Sequence, residues 1–253
     1  IERCGEIDDS QMNPEDNLEE YGLVSDEELE RFAARVDTAA RTGRAVVASF
    51  GGSALGDVAF VPGVSLRNPK GIRSVAEWYI STLMRPDYIR EVFSRQMDFA
   101  IANYRRLWER CGDKIDVVFT CGTDFGTQNS QFCSPETFHE LWLPYYKRLN
   151  DWIHEKTSWK IFNPVQINAQ DMDPETLKKQ FGEQLVFWGG GIDTQKVLPF
   201  GTPDDVKRHV REQCRIFGEN GGFVFSSVHN VQANVPIKNR VAMIEELNAV
   251  RNL

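Results

Sequence analysis

Two residues could do chemistry where they stand. Asp124, in "TDFGTQ", sits just past an apolar segment, where a carboxylate could partner charge or move a proton on a polar substrate; a turn aspartate bonded to nearby backbone amides has the same look. His229 ends the run "FVFSSVH". A neutral imidazole there could ligate a metal or shuttle a proton near neutral pH, and a half-buried histidine satisfied by a carbonyl is the plain alternative. Asp193 in "GIDTQ" is a weaker candidate of the same kind, because turns and caps use aspartate routinely. Cys121 and Cys133 flank the Asp124 loop, and two thiolates with His229 could hold zinc. Core packing is the preferred reading of both thiols, since free cysteine is among the most buried residue types. His139, His154 and His209 fall within amphipathic helical patterns and read as surface residues.

These residues need elements to position them. "SDEELERFAARVDTAARTG" carries Ser25 and Glu28 at capping-box spacing and predicts a helix to about Thr42. "RAVVASF" predicts a strand over 44–50, followed by glycine-rich "GGSALGD". From Val75 to about Arg110 the pattern is helical with a break at Pro86. Strands "DVVFTC", "WKIFNPVQ", "LVFWGGG" and "FVFSSVH" then alternate with helices opened by Ser134, Asp173, Thr202 and Pro236. Such alternation implies parallel strands, covered on both faces and joined by crossovers. The fold expected is α/β, a TIM-type (β/α)8 barrel in preference to a doubly wound sheet, since "GGGIDTQ" lacks dinucleotide spacing. Five clear strands fall short of eight, so segments of the barrel are missing from the chain.

In parallel α/β folds ligands bind at the carboxyl ends of the strands. The loops there are rich in Asp, Asn, Gln and Gly and poor in Lys and Arg, which suits a polar pocket and not a phosphate clamp. Their Gly51, Gly52, Gln128, Asn163, Gln166, Asp193, Gln195 and Asn230 are the candidates to bind substrate, with Asp124 and His229 as the catalytic pair.

The whole-chain totals bound what such a site can serve. The 253 residues carry 37 acidic against 29 basic side chains, a net charge of −8 that opposes nucleic-acid binding. No apolar run approaches the roughly 20 residues that cross a bilayer. Five cysteines, odd in number and without a CxxC pair, suit a reducing compartment. The start "IERCGEIDDSQ" shows no signal peptide, and a cytoplasmic location is expected.

The string "GTDFGTQNSQFCSPETFHELWLPYYKRLNDWIH" resembles the middle of the uroporphyrinogen decarboxylase superfamily, which also contains cobalamin-dependent methyltransferases. The likeness continues through "FNPVQINAQDMDPETLKKQFGEQLVFWGGGIDTQKVLPFGTPDDV" and "GGFVFSSVHNVQANVP", and so runs from about Ala45 to the C-terminus. It implies an eight-stranded β/α barrel over residues 1–253 with residues 1–44 as a peripheral segment. "SFGGSALGD" stands where decarboxylases carry a glycine-rich loop near the tetrapyrrole, although its wording departs from theirs. His229 matches a position that is histidine in decarboxylases and a zinc-ligating cysteine in methyltransferases. Members of this branch also show an "HxCG" motif and a helix before "NPVQ", whereas here "SWK" passes directly to "IFNPVQ". A gap is therefore expected between Lys160 and Ile161, because joining parallel strands takes a dozen or more residues.

The function implied first is methyl transfer through a corrinoid protein, with zinc held by His229 and by the His and Cys of the absent segment lowering a thiol's pKa. Cofactor-free decarboxylation of uroporphyrinogen, with Asp124 stabilising a protonated pyrrole, is the alternative. A non-catalytic barrel that captures a corrinoid or a small methylated ligand is the third. A small or tetrapyrrole-related substrate and a homodimer complete these expectations.

Overall fold

In the computed structural model, residues 7–50, 52–120, 123–162 and 164–251 are described. The candidate substrate-binding residues Gly51 and Asn163, and Cys4 and Cys121, lie outside them. The chain divides into two compact units, Ile1–Ile161 and Phe162–Leu253.

Unit 1 is organised by a 26-residue helix. Helix α1 (Asp26–Ala40) begins at the predicted capping box, in which the Ser25 side chain accepts from Glu28 N and the Glu28 side chain from Ser25 N. Strand β1 (Val47–Ser49) follows, then α2 (Val75–Met84) and α3 (Pro86–Cys111), separated at Arg85 as the Pro86 break requires. Along α3, Ile89, Val92, Phe93, Gln96, Met97, Ala100, Tyr104 and Leu107 recur at helical spacing and are all buried. Strand β2 (Val117–Phe119) pairs in parallel with β1, with Ala48 opposite Val118, and β3 (Lys160–Phe162) completes the order β1-β2-β3. Between β2 and β3 the chain forms α4 (Pro135–Leu141), capped by Ser134, and α5 (Leu143–Lys156). The single helix expected there is broken at Trp142 because Pro144, in the first turn of α5, cannot donate to the preceding turn.

Unit 2 has three parallel strands in the order β4 (Pro164–Val165), β5 (Phe187–Gly189) and β6 (Phe223–Val224). Helix α6 (Pro174–Phe181) is capped by Asp173 and ends at Gly182. A short α7 (Val197–Phe200), not foreseen in the sequence, precedes α8 (Pro203–Gly218), which opens on a Thr202–Asp205 capping box; α9 (Ile237–Arg251) closes the unit. Leu198, Val206, Val210, Val235 and Ala242 form the core between α7, α8 and α9.

All five predicted strand segments form, and the α/β class with parallel strands holds. The closed barrel does not appear among the described residues, which give two three-stranded sheets. The segment "WKIFNPVQ" divides into β3 and β4, one in each sheet, with only residue 163 between them. No crossover is needed where successive strands lie in different sheets. The expectation that both strand faces are covered also gives way at β1, where Val47 is 45% exposed. No described helix is long and apolar enough to cross a membrane.

Candidate functional site

In unit 1 the carboxyl ends of β1 and β2 lead into loops that are tied to each other. Ser53 Oγ donates to Thr120 O. The carbonyl of Leu55 accepts from Thr123 Oγ1 at 3.1 Å and from Trp142 Nε1 at 3.0 Å, and Thr123 Oγ1 lies 2.7 Å from the Tyr146 hydroxyl. Helix α3 supports the first loop from below: Gln96 Nε2 donates to Gly52 O at 3.2 Å and Tyr104 Oη to Phe50 O at 3.1 Å. Gly56, at φ +66°, packs that loop against Trp78 of α2 and Phe93 of α3. A β-carbon there would stand 2.5 Å from Trp78 Nε1, so only glycine fits the turn.

That turn delivers Asp57, which sequence reasoning missed although "GGSALGD" was recognised as a rim loop. Asp57 is buried, with Oδ1 accepting from Ala59 N at 2.7 Å. Burial pushes its carboxyl pKa up, and the charge of Asp124 pushes the same way. Asp124 itself is exposed, and its backbone carbonyl accepts from Tyr79 Oη at 2.9 Å. Tyr79, on α2, is the second residue the sequence did not reveal. Burial, then the charges of Cys133, Asp124 and Asp57, drive its hydroxyl to hold its proton far into the alkaline range. Burial likewise raises Cys133, which stays a thiol at neutral pH. Two carboxylates, one exposed and one buried, and a protonated phenol thus share one corner, an arrangement suited to moving a proton.

A raised carboxyl pKa is also a statement about stability. The folded chain holds the Asp57 proton more tightly than the unfolded chain, whose value lies near 3.8. Its contribution is therefore intact below that value and is lost as pH rises through the folded value. Asp57→Asn keeps the acceptor for Ala59 N and removes the buried charge. Thermal denaturation should show it melting above the parent at pH 7, with the difference closing at acid pH; a variant that melts lower at pH 7 would remove Asp57 from the role of a strained carboxyl.

In unit 2 the candidate residues Asp193, Gln195, His229 and Asn230 lie on two neighbouring loops. Gly191 N donates to Ser226 O at 3.0 Å and Ile192 pairs with Ser227, so the loop after β5 runs beside the loop after β6. A β-carbon on Gly191 would meet the Phe225 ring at 2.5 Å, which explains the glycine at this close approach. Asp193 is buried and its Oδ1 accepts from Gln195 N and Lys196 N, both at 2.8 Å. It is a turn-forming carboxylate, the plainer of its two readings. Gln195, His229 and Asn230 are exposed, while Gln166 is half-buried at the end of β4. The ring of His229 is open to solvent and its carbonyl accepts from Ser227 Oγ at 2.8 Å, so it is not the half-buried, carbonyl-satisfied histidine of the alternative reading. In unit 1, Gly52 and Gln128 flank the Asp57–Asp124 corner on their respective loops, both half-buried.

Among the described residues no three His, Cys, Asp or Glu side chains gather as a metal site. His139 and His154 are exposed as expected, whereas His209 is half-buried and bonded to the loop after β5.

No curated protein matches the chain. The family described as "Uroporphyrinogen decarboxylase (URO-D)" matches residues 65–250, about three-quarters of the chain; the match takes in Asp124 and His229 and begins beyond Gly52 and Asp57. Its members are generally enzymes, decarboxylases or methyltransferases. With the match covering most of the chain and strand and helix alternating across the matched region, the chain belongs to the URO-D family.

Proposed function

We propose that the chain is a URO-D family enzyme that moves a methyl group between a small neutral or cationic substrate and a corrinoid carried by a partner protein, holding the substrate at the loops after β1 and β2. The observation that carries this is the charge of that corner. Asp57 and Asp124 stand there together, and neither loop, 52–66 or 123–139, contains a lysine or arginine. A tetrapyrrole bearing many carboxylates would meet two carboxylates and no guanidinium to pair with. A methyl-bearing molecule without negative charge suffers no such repulsion. Asp124, the exposed carboxylate, orients the substrate or takes its proton, while the Tyr79 hydroxyl keeps its own proton behind it. Conversion of cob(I)alamin to methylcobalamin in the presence of small methyl donors, followed by absorbance, tests the reading; turnover of uroporphyrinogen to coproporphyrinogen by the purified chain would replace it with decarboxylation.

The barrel belongs to the same proposal. Two parallel three-stranded sheets with covering helices are parts that an eight-stranded β/α barrel supplies. Cys111, Cys133 and Cys214 are free thiols, which suits the cytoplasm.

Zinc, where relatives hold it, supplies a metal-bound thiolate. The donors present here do not fit it: His229 offers one imidazole, Cys133 is held as a thiol, and no described cluster completes a set of three. Metal analysis of this chain should accordingly find far less than stoichiometric zinc, and His229→Ala should leave that amount unchanged. One tightly held ion per chain, lost in His229→Ala, would reverse this.

A further inference from the structure

We propose that His209 is a positioning residue: as a neutral imidazole it accepts a hydrogen bond from the Asp193 amide, pins the loop after β5, and makes the order of that loop dependent on pH. This stands apart from the reaction proposed above, since neither the methyl donor nor the corrinoid enters it.

The geometry is specific. Asp193 N lies 3.1 Å from His209 Nε2, and a backbone N–H can only donate, so Nε2 carries no proton and the ring keeps its proton on Nδ1. Asp193 organises the whole turn: Oδ1 accepts from Gln195 N and Lys196 N, and its carbonyl accepts from Leu198 N at 2.9 Å, where α7 begins. The imidazole has a fixed place because α8 is anchored at its start by the Thr202–Asp205 box and along its length by Val206 and Val210, both fully buried. One histidine on a rigid helix thus holds the residue on which a candidate binding loop is built.

The charges around the ring oppose one another. The Asp193 carboxylate and Glu212 favour a cation, while burial disfavours it more strongly, so the pKa of His209 is lowered from the usual 6.5. Lys196, Asp205 and Arg208 line the same cavity of about 350 Å³, and Arg208 is paired with Asp205. A histidine whose folded value is depressed contributes stability that is intact above about 6.5 and is lost as pH falls through the lowered value. Protonation would also place an Nε2–H against the Asp193 N–H, two donors facing each other, and free the loop.

Solution NMR of the full chain tests this, reading the ring nitrogens of His209 and the exchange of the Asp193, Gln195 and Lys196 amides against pH. At pH 7 Nε2 should be unprotonated, and the ring should titrate below 6.5. The Asp193 amide should exchange roughly tenfold faster once the ring is charged, the size of one lost hydrogen bond. In His209→Gln the side-chain oxygen takes the place of Nε2 and cannot be protonated in this range, so protection should persist at low pH. In His209→Ala it should be absent at every pH. A ring protonated on Nε2 at neutral pH, Asp193 exchange that ignores the ring titration, or His209→Gln losing protection with pH as the parent does would each overturn the proposal. Should His209→Ala fail to fold, the parent titration and His209→Gln decide the question.

Discussion

Truncation of Trp142 to alanine lowers the stability of unit 1 by about 3–5 kcal/mol, the range for deleting a large buried aromatic side chain. Trp142 is fully buried between the two helices that follow β2. Its ring centre lies 5.5 Å from those of Phe93 and Phe125, and it stacks on Tyr79 at 6.4 Å. The loss has two parts that a second variant separates. The cavity accounts for most of it, because Phe93 on α3 and Tyr79 on α2 are fixed by their own helices and cannot move in to fill the space. The remainder is the hydrogen bond from Nε1 to Leu55 O, whose carbonyl would be left with Thr123 as its donor. Trp142→Phe keeps an aromatic ring in place and gives up chiefly that bond, so it should lose roughly 1–3 kcal/mol. Because Phe125 directly follows Asp124, the alanine variant should also loosen the carboxylate corner. Urea denaturation of both variants provides the measurement, and a loss below about 1 kcal/mol for Trp142→Ala would show that this aromatic cluster does not hold the loops together.

Strand and helix order was legible because it is written locally. Apolar runs announced the strands, and Ser25, Ser134, Asp173 and Thr202 announced helix starts through side chains that bond within three residues of themselves. What the sequence hid lies in partners far apart along the chain. Nothing near Asp57 indicates that Asp124 will stand close enough to raise its pKa, and nothing in the polar pattern of α8 indicates that His209 will turn inward to meet Asp193. His209 read as surface because charged neighbours surround it in sequence, yet its side of the helix faces the loop after β5. The division of "WKIFNPVQ" was hidden for a different reason. An extended run has the same apolar pattern whether it serves one sheet or two, and only pairing decides. Of the candidate site, Asp124, Gly52 and Gln128 were found as loop residues past strand ends, whereas Tyr79 sits inside an apolar helix and carries no signal that separates it from a core aromatic.

Asp124→Asn should reduce methyl transfer by about 10²–10⁴-fold in kcat/KM, the usual contribution of a positioned acid or base, without lowering the melting temperature. The separation of these two effects follows from which atoms of Asp124 the fold uses. Its backbone carbonyl takes the Tyr79 bond, and a substitution at the side chain does not alter that carbonyl. The carboxylate is exposed, so removing its charge uncovers no cavity. Asn keeps the shape and one acceptor and loses only the charge and the ability to take a proton. A second consequence appears at Asp57. The negative charge of Asp124 helps to raise the Asp57 pKa, so the Asn variant should let Asp57 ionise at lower pH than in the parent, a direction that carboxyl NMR can read. Burial, the larger cause, remains, and the value should still stand above that of an ordinary aspartate. The pairing of these readouts distinguishes a catalytic carboxylate from a turn residue. A turn aspartate would lower the melting temperature and leave the reaction intact, and that result, or an Asp57 titration indifferent to the substitution, would dissolve the carboxylate pair as a functional unit.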